Sequence, residues 1–353
     1  MVPETHGQIE AAAALLKAGG VVAFPTETVY GLGADVSNVS AVRRIFEIKR
    51  RPVDHPLIVH FADPSRLVHW AREVPERALR LAEHFWPGPL TLILPRSPHI
   101  LKNVTGGQDT VGLRVPNHPV ALALLNALGA DGALAAPSAN RFGRVSPTTA
   151  AHVHEELGDF VGMILDGGSC KIGLESTIVG FTDHTAIVLR PGGISLEALE
   201  DVLGEKAVVV GGKNHTVRVP GALASHYAPV TPLELLPTGS LWRRALELEE
   251  RGLRVVTMTW STQNPDRPEK DNLFHFPMPA EPAAYGSLLY ATLHRFDHEH
   301  FDHLLIEAPP DNAAWMAIAD RLQRASSAPD FTSAAHDYDF SPEREDISEA
   351  IYQ

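Results

Sequence analysis

Between residues 56 and 193 the chain carries seven short apolar runs punctuated by proline or glycine: "PLIVHFA", "LTLILP", "VGLRVP", "ALAAPSA", "MILDGG", "STIVGF" and "AIVLRPGG". Runs of this length with breakers at their ends read as buried strands. "VVAF", closed by Pro25, adds another near the N-terminus. Helical patterns lie between them, at 75–84, 117–128 and 147–157. A further helix, "VSAVRRIFEIKRRP", carries Val42, Ile45, Phe46 and Lys49 at helical spacing until Pro52 stops it. Near the start, Thr5-x-x-Gln8 reads as a capping box, and Gly19-Gly20 closes that first helix. Strands alternating with helices make an α/β domain over residues 1–205.

Residues 206–232 are punctuated by glycine and proline with little periodicity, and read as a linker. A second α/β pattern follows over 233–353: helix 240–251, strand "LRVVTMTW", helix 282–298, strand "HLLIEAPP" and helix 311–326. That order fits a smaller, Rossmann-like parallel-sheet domain, with a polar and loosely held tail after 327.

The formal net charge is −13, and acidic residues outnumber basic ones on both sides of residue 205. This argues against tracking a nucleic-acid backbone and leaves room for a local basic pocket that binds a small anion. Cys170 is the single cysteine, which excludes an intrachain disulfide and a cysteine-based zinc cluster. The N-terminus lacks the pattern of a secretory signal, and no apolar stretch reaches membrane-spanning length. A cytoplasmic location is the expectation.

"GLGADV" at 31–36 matches only half of a dinucleotide fingerprint, and no P-loop is present. "HRFDHEHFDH" places His294 and His298 four apart with His300 and His303 beyond, but gives no third ligand at motif spacing, so a solvated helix end is preferred to a metal site. There is no nucleophile elbow and no HExxH. What recurs is a set of donors at predicted strand ends. Lys49, Arg50 and Arg51 end a helix, where cations complement the helix dipole, and "HPLIVH" with His55 and His60 follows at once. Arg114, inside the apolar run "VGLRVP", needs an anion or an acidic partner, and Arg190 repeats the situation in "AIVLRPGG". "APSAN" (136–140), "SPT" (146–148) and "EST" (175–177) add small hydroxyl and amide groups. Ser146-Pro147 also reads as a helix start, with Ser146 as N-cap. Donors gathered at strand ends suit phosphate positioning and charge stabilisation, because ligands of α/β sheets sit beyond the strand termini.

In order, "PTETVYGLG", "KRRPxxHPLIVH", "TVGLRVP", "APSAN…SPT", "ESTIV", "LRPGGI" and "HYAP" resemble the threonylcarbamoyl-AMP synthase family, continuously from about residue 7 to 229 and more weakly to about 325. The resemblance implies a YrdC-like twisted mixed sheet with a concave, positively charged cleft, followed by the linker and second domain of the long form. It implies a nucleotidyltransferase that makes threonylcarbamoyl-AMP and pyrophosphate from L-threonine, bicarbonate and ATP, with Mg2+ bound to the ATP. The product serves the N6-threonylcarbamoyladenosine (t6A) modification of tRNAs that read ANN codons, through a separate transferase complex, so no direct nucleic-acid contact is expected. By motif, Thr28, His60, Arg114, Ala136 and Ser176 fall in the threonine pocket. Arg51, His55, Thr110, Ser138, Ser146, Arg190 and Tyr227 fall in the ATP pocket, with Tyr227 reaching in from the linker as part of a lid, "SHYAP". Lys49 with Arg51, and Ser138 with Asn140, match the family's catalytic KxR and SxN pairs. Two departures stand out: His55 replaces an asparagine common in the family, and the segment before "HYAP" is less basic. Two alternative readings remain: a carbamoyl-adenylate-forming enzyme of another YrdC-like type, which the single cysteine disfavours, and a double-stranded-RNA-binding module, which the net charge disfavours.

Overall fold

A computed structural model of the chain describes residues 3–182, 184–210, 217–221, 226–261 and 268–327. Among these residues the strands form two sheets, one of ten strands and one of four. The larger contains β1 (Val22–Phe24), β2 (Gly31–Asp35), β3 (Ile58–His60), β4 (Leu90–Pro95), β5 (Thr110–Arg114), β6 (Leu134–Ala135), β7 (Met163–Ile164), β8 (Thr177–Phe181), β9 (Ala186–Arg190) and β10 (Val208–Val209). Their order across the sheet is β10-β9-β8-β4-β5-β3-β6-β2-β1-β7. Parallel pairs (β3 with β5, β4 with β8) alternate with antiparallel ones (β4 with β5, β8 with β9, β1 with β2), so the sheet is mixed.

Each apolar run named above contributes a strand, and the end of "PTETVYGLG" contributes one as well. Gly31 opens β2, which folds back antiparallel on β1 with Gly31 opposite Phe24 and Gly33 opposite Val22. The Phe24 ring lies over this hairpin, and a Cβ on Gly33 would come within 2.8 Å of it. The two glycines of "GLGADV" therefore make room for a neighbouring aromatic ring, and they lie in a strand rather than opening a helix.

Helix ends follow local chemistry. Asn38 caps the helix Val39–Lys49 by accepting from the Ala41 amide, and Arg50 ends it in the left-handed region with φ 51°. That reversal separates Lys49, the last helical residue, from Arg51. Two helix starts differ from expectation. The first helix runs Pro3–Lys17, so Thr5 lies inside it rather than at its cap. The helix Ala150–Leu157 is capped by Thr149, because the Ser146 hydroxyl is engaged elsewhere.

The second sheet comprises β11 (Leu233–Leu236), β12 (Val255–Thr259), β13 (Leu273–Pro277) and β14 (His303–Glu307), in the order β11-β14-β12-β13 and parallel throughout. Val255 and Leu305 pack with Leu241, Ala245 and Leu248 of the helix Thr238–Glu249. Val256, Leu304 and Ile306 pack with Leu289, Leu293, Ile318 and Leu322 of the helices Pro282–His298 and Met316–Ser326. Both faces of the sheet are thus covered, as a parallel sheet requires. This second cluster does not stop at the domain edge, since it includes Val29, Val145, Leu174 and Tyr227. The segment expected as linker begins as β10, paired with β9. Ser225 of "SHYAP" and the tail from residue 328 lie outside the described residues.

Candidate active site

Register places the central cations. β3 and β5 run parallel with His60 opposite Arg114, so the two last residues of adjacent strands stand side by side. At the other side of β4, Arg190 ends β9 opposite Ile178, next to the "EST" loop that precedes β8. A cavity between these strand ends is lined by Thr26, Thr28, Arg51, His60, Arg114, Ala136, Ser138, Glu175, Ser176, Arg190 and, from the expected linker, Gly221, His226 and Tyr227.

All five residues expected at threonine line this cavity. Thr28 is fully buried, shares a 2.8 Å hydrogen bond with Thr26, and accepts at 2.9 Å from Arg114 Nη2. The same nitrogen pairs with Glu27 at 2.7 Å, while Arg114 Nε donates to the Gly88 carbonyl at 3.3 Å. Glu27 in turn accepts from the Asn117 amide. Of the two explanations an arginine in an apolar strand allows, an anion or an acidic partner, the acidic partner is present. Only Nη1 of Arg114 lacks a protein partner among the described residues, so the guanidinium does not offer its full two-pronged fork.

His60 holds its Nδ1 3.2 Å from the Ile58 carbonyl, which makes Nδ1 the protonated nitrogen and Nε2 an acceptor. Burial, reinforced by Arg114, pushes its pKa down to about 3. Ser176 shares a 2.7 Å hydrogen bond with Thr91, and its carbonyl accepts from Arg190 Nη2 at 2.8 Å. The Ala136 amide donates to the Ile58 carbonyl, fixing the start of the "PSAN" loop.

Of the residues expected at ATP, Arg51, Ser138, Arg190 and Tyr227 line the cavity, and His55, Thr110 and Ser146 do not. Arg51 donates to the Pro56 carbonyl at 2.9 Å and lies 5.5 Å from the Phe142 ring, and its Nε is buried with no partner. Burial lowers its pKa to about 10, which leaves it charged at neutral pH. His55 packs edge-on against Phe142 behind it. Thr110 opens β5 opposite Pro95, away from the cavity. Ser146 donates to Glu175 at 2.6 Å.

Lys49 and Asn140 also stand behind the wall. Lys49 Nζ donates to the carbonyls of Ser138, at 2.6 Å, and of Asn140. Asn140 Nδ2 bonds the carbonyls of Arg141 and Arg144. Both therefore shape the "SAN" loop from within. Burial, with Arg51 nearby, holds the Lys49 pKa well below the usual lysine range.

Four residues bonded into this site escaped the sequence: Glu27, which pairs with Arg114, and Glu175, whose carboxylate accepts from Tyr290 and Arg321. The first two sit inside quoted motifs, "PTET" and "EST", where the acidic residue itself was the available signal. Cys170 is buried, and burial pushes its thiol up to about 12, so it supplies no thiolate. The histidine cluster does not converge: His294 stacks on His152 at 4.1 Å and faces the Ser146 carbonyl, whereas His298 pairs with Glu155 on the surface. Among the described residues, no three His, Cys, Asp or Glu side chains form a metal-binding group.

Buried neutral histidines make the fold acid-sensitive. His60 and His294 both fall to about 3 through burial, against 6.5 in an unfolded chain. Below pH 6.5 the unfolded chain takes up protons that these rings refuse in the folded chain, so their contribution to stability drops as pH falls from 6.5 toward 3 and is constant below that. Each histidine contributes about 1.4 kcal/mol per pH unit, so between pH 7.5 and 5.5 these two rings alone remove about 3 kcal/mol, and the buried His226, also held neutral, adds to the loss. Urea unfolding at the two pH values measures this, and His294→Gln should shrink the loss by about 1.4 kcal/mol, one histidine's share. Equal stability at both pH values would mean that these rings are not held neutral.

The family model described as telomere recombination matches residues 14–192, and the one described as threonylcarbamoyl-AMP synthase, C-terminal domain, matches residues 194–327. A threonylcarbamoyl-AMP synthase from Pyrococcus abyssi is 39% identical over 328 residues, covering 90% of this chain and 94% of the relative. One from Bacillus subtilis is 42% identical over 324 residues, with 90% and 93% covered. The crystal structure of P. abyssi Sua5 complexed with L-threonine superposes with a TM-score of 0.82 at 37% identity, over 91% of this chain and 94% of that one. Among the described residues, no helix is long and apolar enough to cross a membrane.

Proposed function

The chain belongs to the threonylcarbamoyl-AMP synthase family, and we propose that the cavity at the ends of β3, β5 and β9 is where it joins L-threonine, bicarbonate and ATP into threonylcarbamoyl-AMP and pyrophosphate. The observation that carries this is one cavity lined by three arginines with hydroxyls beside two of them: Arg114 with Thr28, Arg190 with Ser176, and Arg51. An amino-acid carboxylate fits the first of these arginines and a polyphosphate fits the other two.

On this reading Arg114 Nη1, with the hydroxyls beside it, holds the threonine carboxylate. The neutral His60 accepts a hydrogen bond through Nε2 and adds no competing positive charge. The threonine amine then attacks CO2 derived from bicarbonate, loses a proton and becomes a carbamate. A carbamate oxygen attacks the α-phosphorus in line, and the bond from that phosphorus to pyrophosphate breaks. Arg51 and Arg190 offset the repulsion between the two anions and stabilise the leaving group. Lys49 acts one step back by fixing the "SAN" loop, and no protein nucleophile is needed.

Magnesium fits as a passenger of the nucleotide. Both oxygens of Glu175, the acidic residue on the cavity wall, already accept hydrogen bonds from protein. A magnesium ion here would take its oxygens from phosphate and water, where it contributes charge neutralisation. The acidic chain fits release of the product to a separate transferase acting on tRNA, in the cytoplasm, rather than direct tRNA binding.

Pyrophosphate release with ATP, Mg2+ and bicarbonate is expected to require L-threonine. Serine should be used about fivefold less well, because the lost methyl contact is worth roughly 1 kcal/mol. Equal release without any amino acid would sink the reading.

A further inference from the structure

We propose that Arg321, in the C-terminal domain, is a positioning residue for the first-domain site: it neutralises Glu175 on the cavity wall. The proposal rests on the reading of this cavity as the ATP site. The Arg321 side chain is 0% exposed, and every nitrogen of its guanidinium has a partner. Nε donates to Glu175 at 2.8 Å, Nη2 to the Pro191 carbonyl at 2.9 Å, and Nη1 to Asp320 at 2.6 Å. Its carbon lies 5.1 Å from the centre of the Tyr227 ring, within cation–π range. Tyr290, on the helix Pro282–His298, donates to the same carboxylate at 3.0 Å and stacks on Tyr227 at 5.8 Å. The second domain thus reaches the site through one carboxylate and one ring.

Charge explains why this matters. Glu175 is the acidic residue lining a cavity whose other charged residues are Arg51, Arg114 and Arg190. It directly precedes Ser176, whose backbone carbonyl is held by Arg190. Burial alone would favour its neutral form, but Arg321, Arg190 and the Ser146 hydroxyl keep it ionised. Without Arg321, an ionised carboxylate would stand beside a bound polyphosphate in a low-dielectric cleft and compete with it for Arg190. The C-terminal domain, which supplies no described residue to the cavity wall itself, therefore completes the charge balance of the neighbouring domain from behind it.

Calorimetry and steady-state kinetics on full-length Arg321→Met, Arg321→Lys and Glu175→Gln/Arg321→Met test this. In Arg321→Met, the KM and Kd for MgATP are expected to rise about 30-fold or more, with threonine affinity within about threefold of wild type. Adding Glu175→Gln should return MgATP affinity to within about fivefold, because the offending charge is gone while the domain contact stays broken. Arg321→Lys, which keeps the charge but loses the planar fork, should fall between the two. If Arg321 only packs the domains together, Glu175→Gln gives no rescue, and that result overturns the proposal, as does unchanged MgATP affinity in Arg321→Met. If Arg321→Met alone fails to fold, the double variant and Arg321→Lys decide: MgATP affinity in a folded double variant as weak as 30-fold below wild type overturns it. Failure of the underlying reading would show separately, as wild-type protein that binds no MgATP.

Discussion

Arg114→Ala is expected to weaken threonine binding by roughly 30- to 1,000-fold while leaving ATP affinity within about threefold, as measured by calorimetric titration of each ligand. Removing a charge-assisted contact to a desolvated anion typically loses about 2–4 kcal/mol, which is that range. The structure adds a second effect. Arg114 and Glu27 are 5% and 6% exposed at the side chain, so truncating the arginine strands a buried carboxylate. Breaking such a pair destabilises by about 3–5 kcal/mol, and the unfolding midpoint should fall accordingly. Glu27→Gln in the same chain separates the two effects: it should recover much of the stability and none of the threonine affinity. Arg114→Lys should rescue little, because an ammonium cannot reach Glu27, Thr28 and Gly88 together while still presenting a donor to the ligand. A folded Arg114→Ala protein with normal threonine affinity would show that the carboxylate is held elsewhere.

The strands of the first domain were legible because each apolar run was closed by a proline or glycine, and the loops between them announced polar groups at strand ends. The same rule failed where local chemistry misleads. Gly31 and Gly33 show only half of a dinucleotide fingerprint and no strand pattern, yet they belong to a strand, and the reason is Phe24 on the neighbouring strand, which no local pattern reveals. β13, "LFHFP", is an edge strand with only its first residue buried, and β10 has just two residues, so neither shows a period. Ser146-Pro147 has the chemistry of a helix start, but the Ser146 hydroxyl is taken by Glu175 and the helix waits for Thr149. Motif order brought Thr28, His60, Arg114 and Ser176 to one cavity. The partners that set their charge were hidden because they are distant: Glu27 lies 87 residues from Arg114, and Glu175 lies 146 from Arg321. A sequence shows which groups are polar and not which of them cancel.

Tyr227→Ala is expected to speed ATP association by about 10-fold or more and to raise the yield of free AMP relative to threonylcarbamoyl-AMP. The expectation of a lid over bound nucleotide needs a physical amendment: in this closed form the segment fills the cleft. The remaining cavity is about 50 Å³, whereas sites for ligands of this size run to roughly 300–1,000 Å³. ATP can enter only after residues 226–228 lift. They are held from both sides, with Ala228 donating to the Gly143 carbonyl of the first domain and the Tyr227 ring packed on Arg321 and Tyr290 of the second. Yet the hold is not relaxed. Tyr227 has φ 62°, a left-handed conformation that costs a non-glycine residue about 1–2 kcal/mol, and its hydroxyl is buried with no partner among the described residues. Gly221, at φ 77°, is required beside it, since a Cβ there would come within 2.1 Å of that hydroxyl. A strained, incompletely satisfied plug suits a segment that exchanges places with a ligand. Removing the ring takes away roughly 2 kcal/mol of burial that favours the closed form, which raises the open fraction about 30-fold and with it the rate of entry. The same loss uncovers the reaction to water, so more of the adenylate hydrolyses. Alanine keeps the Cβ and hence the backbone strain. Tyr227→Gly relieves that strain, so comparing the two isolates the ring. Stopped-flow nucleotide binding and chromatographic product ratios read both effects, and limited proteolysis near residue 227 follows the lifting directly. Wild-type association rates and product ratios in Tyr227→Ala would reduce the segment to a passive tether.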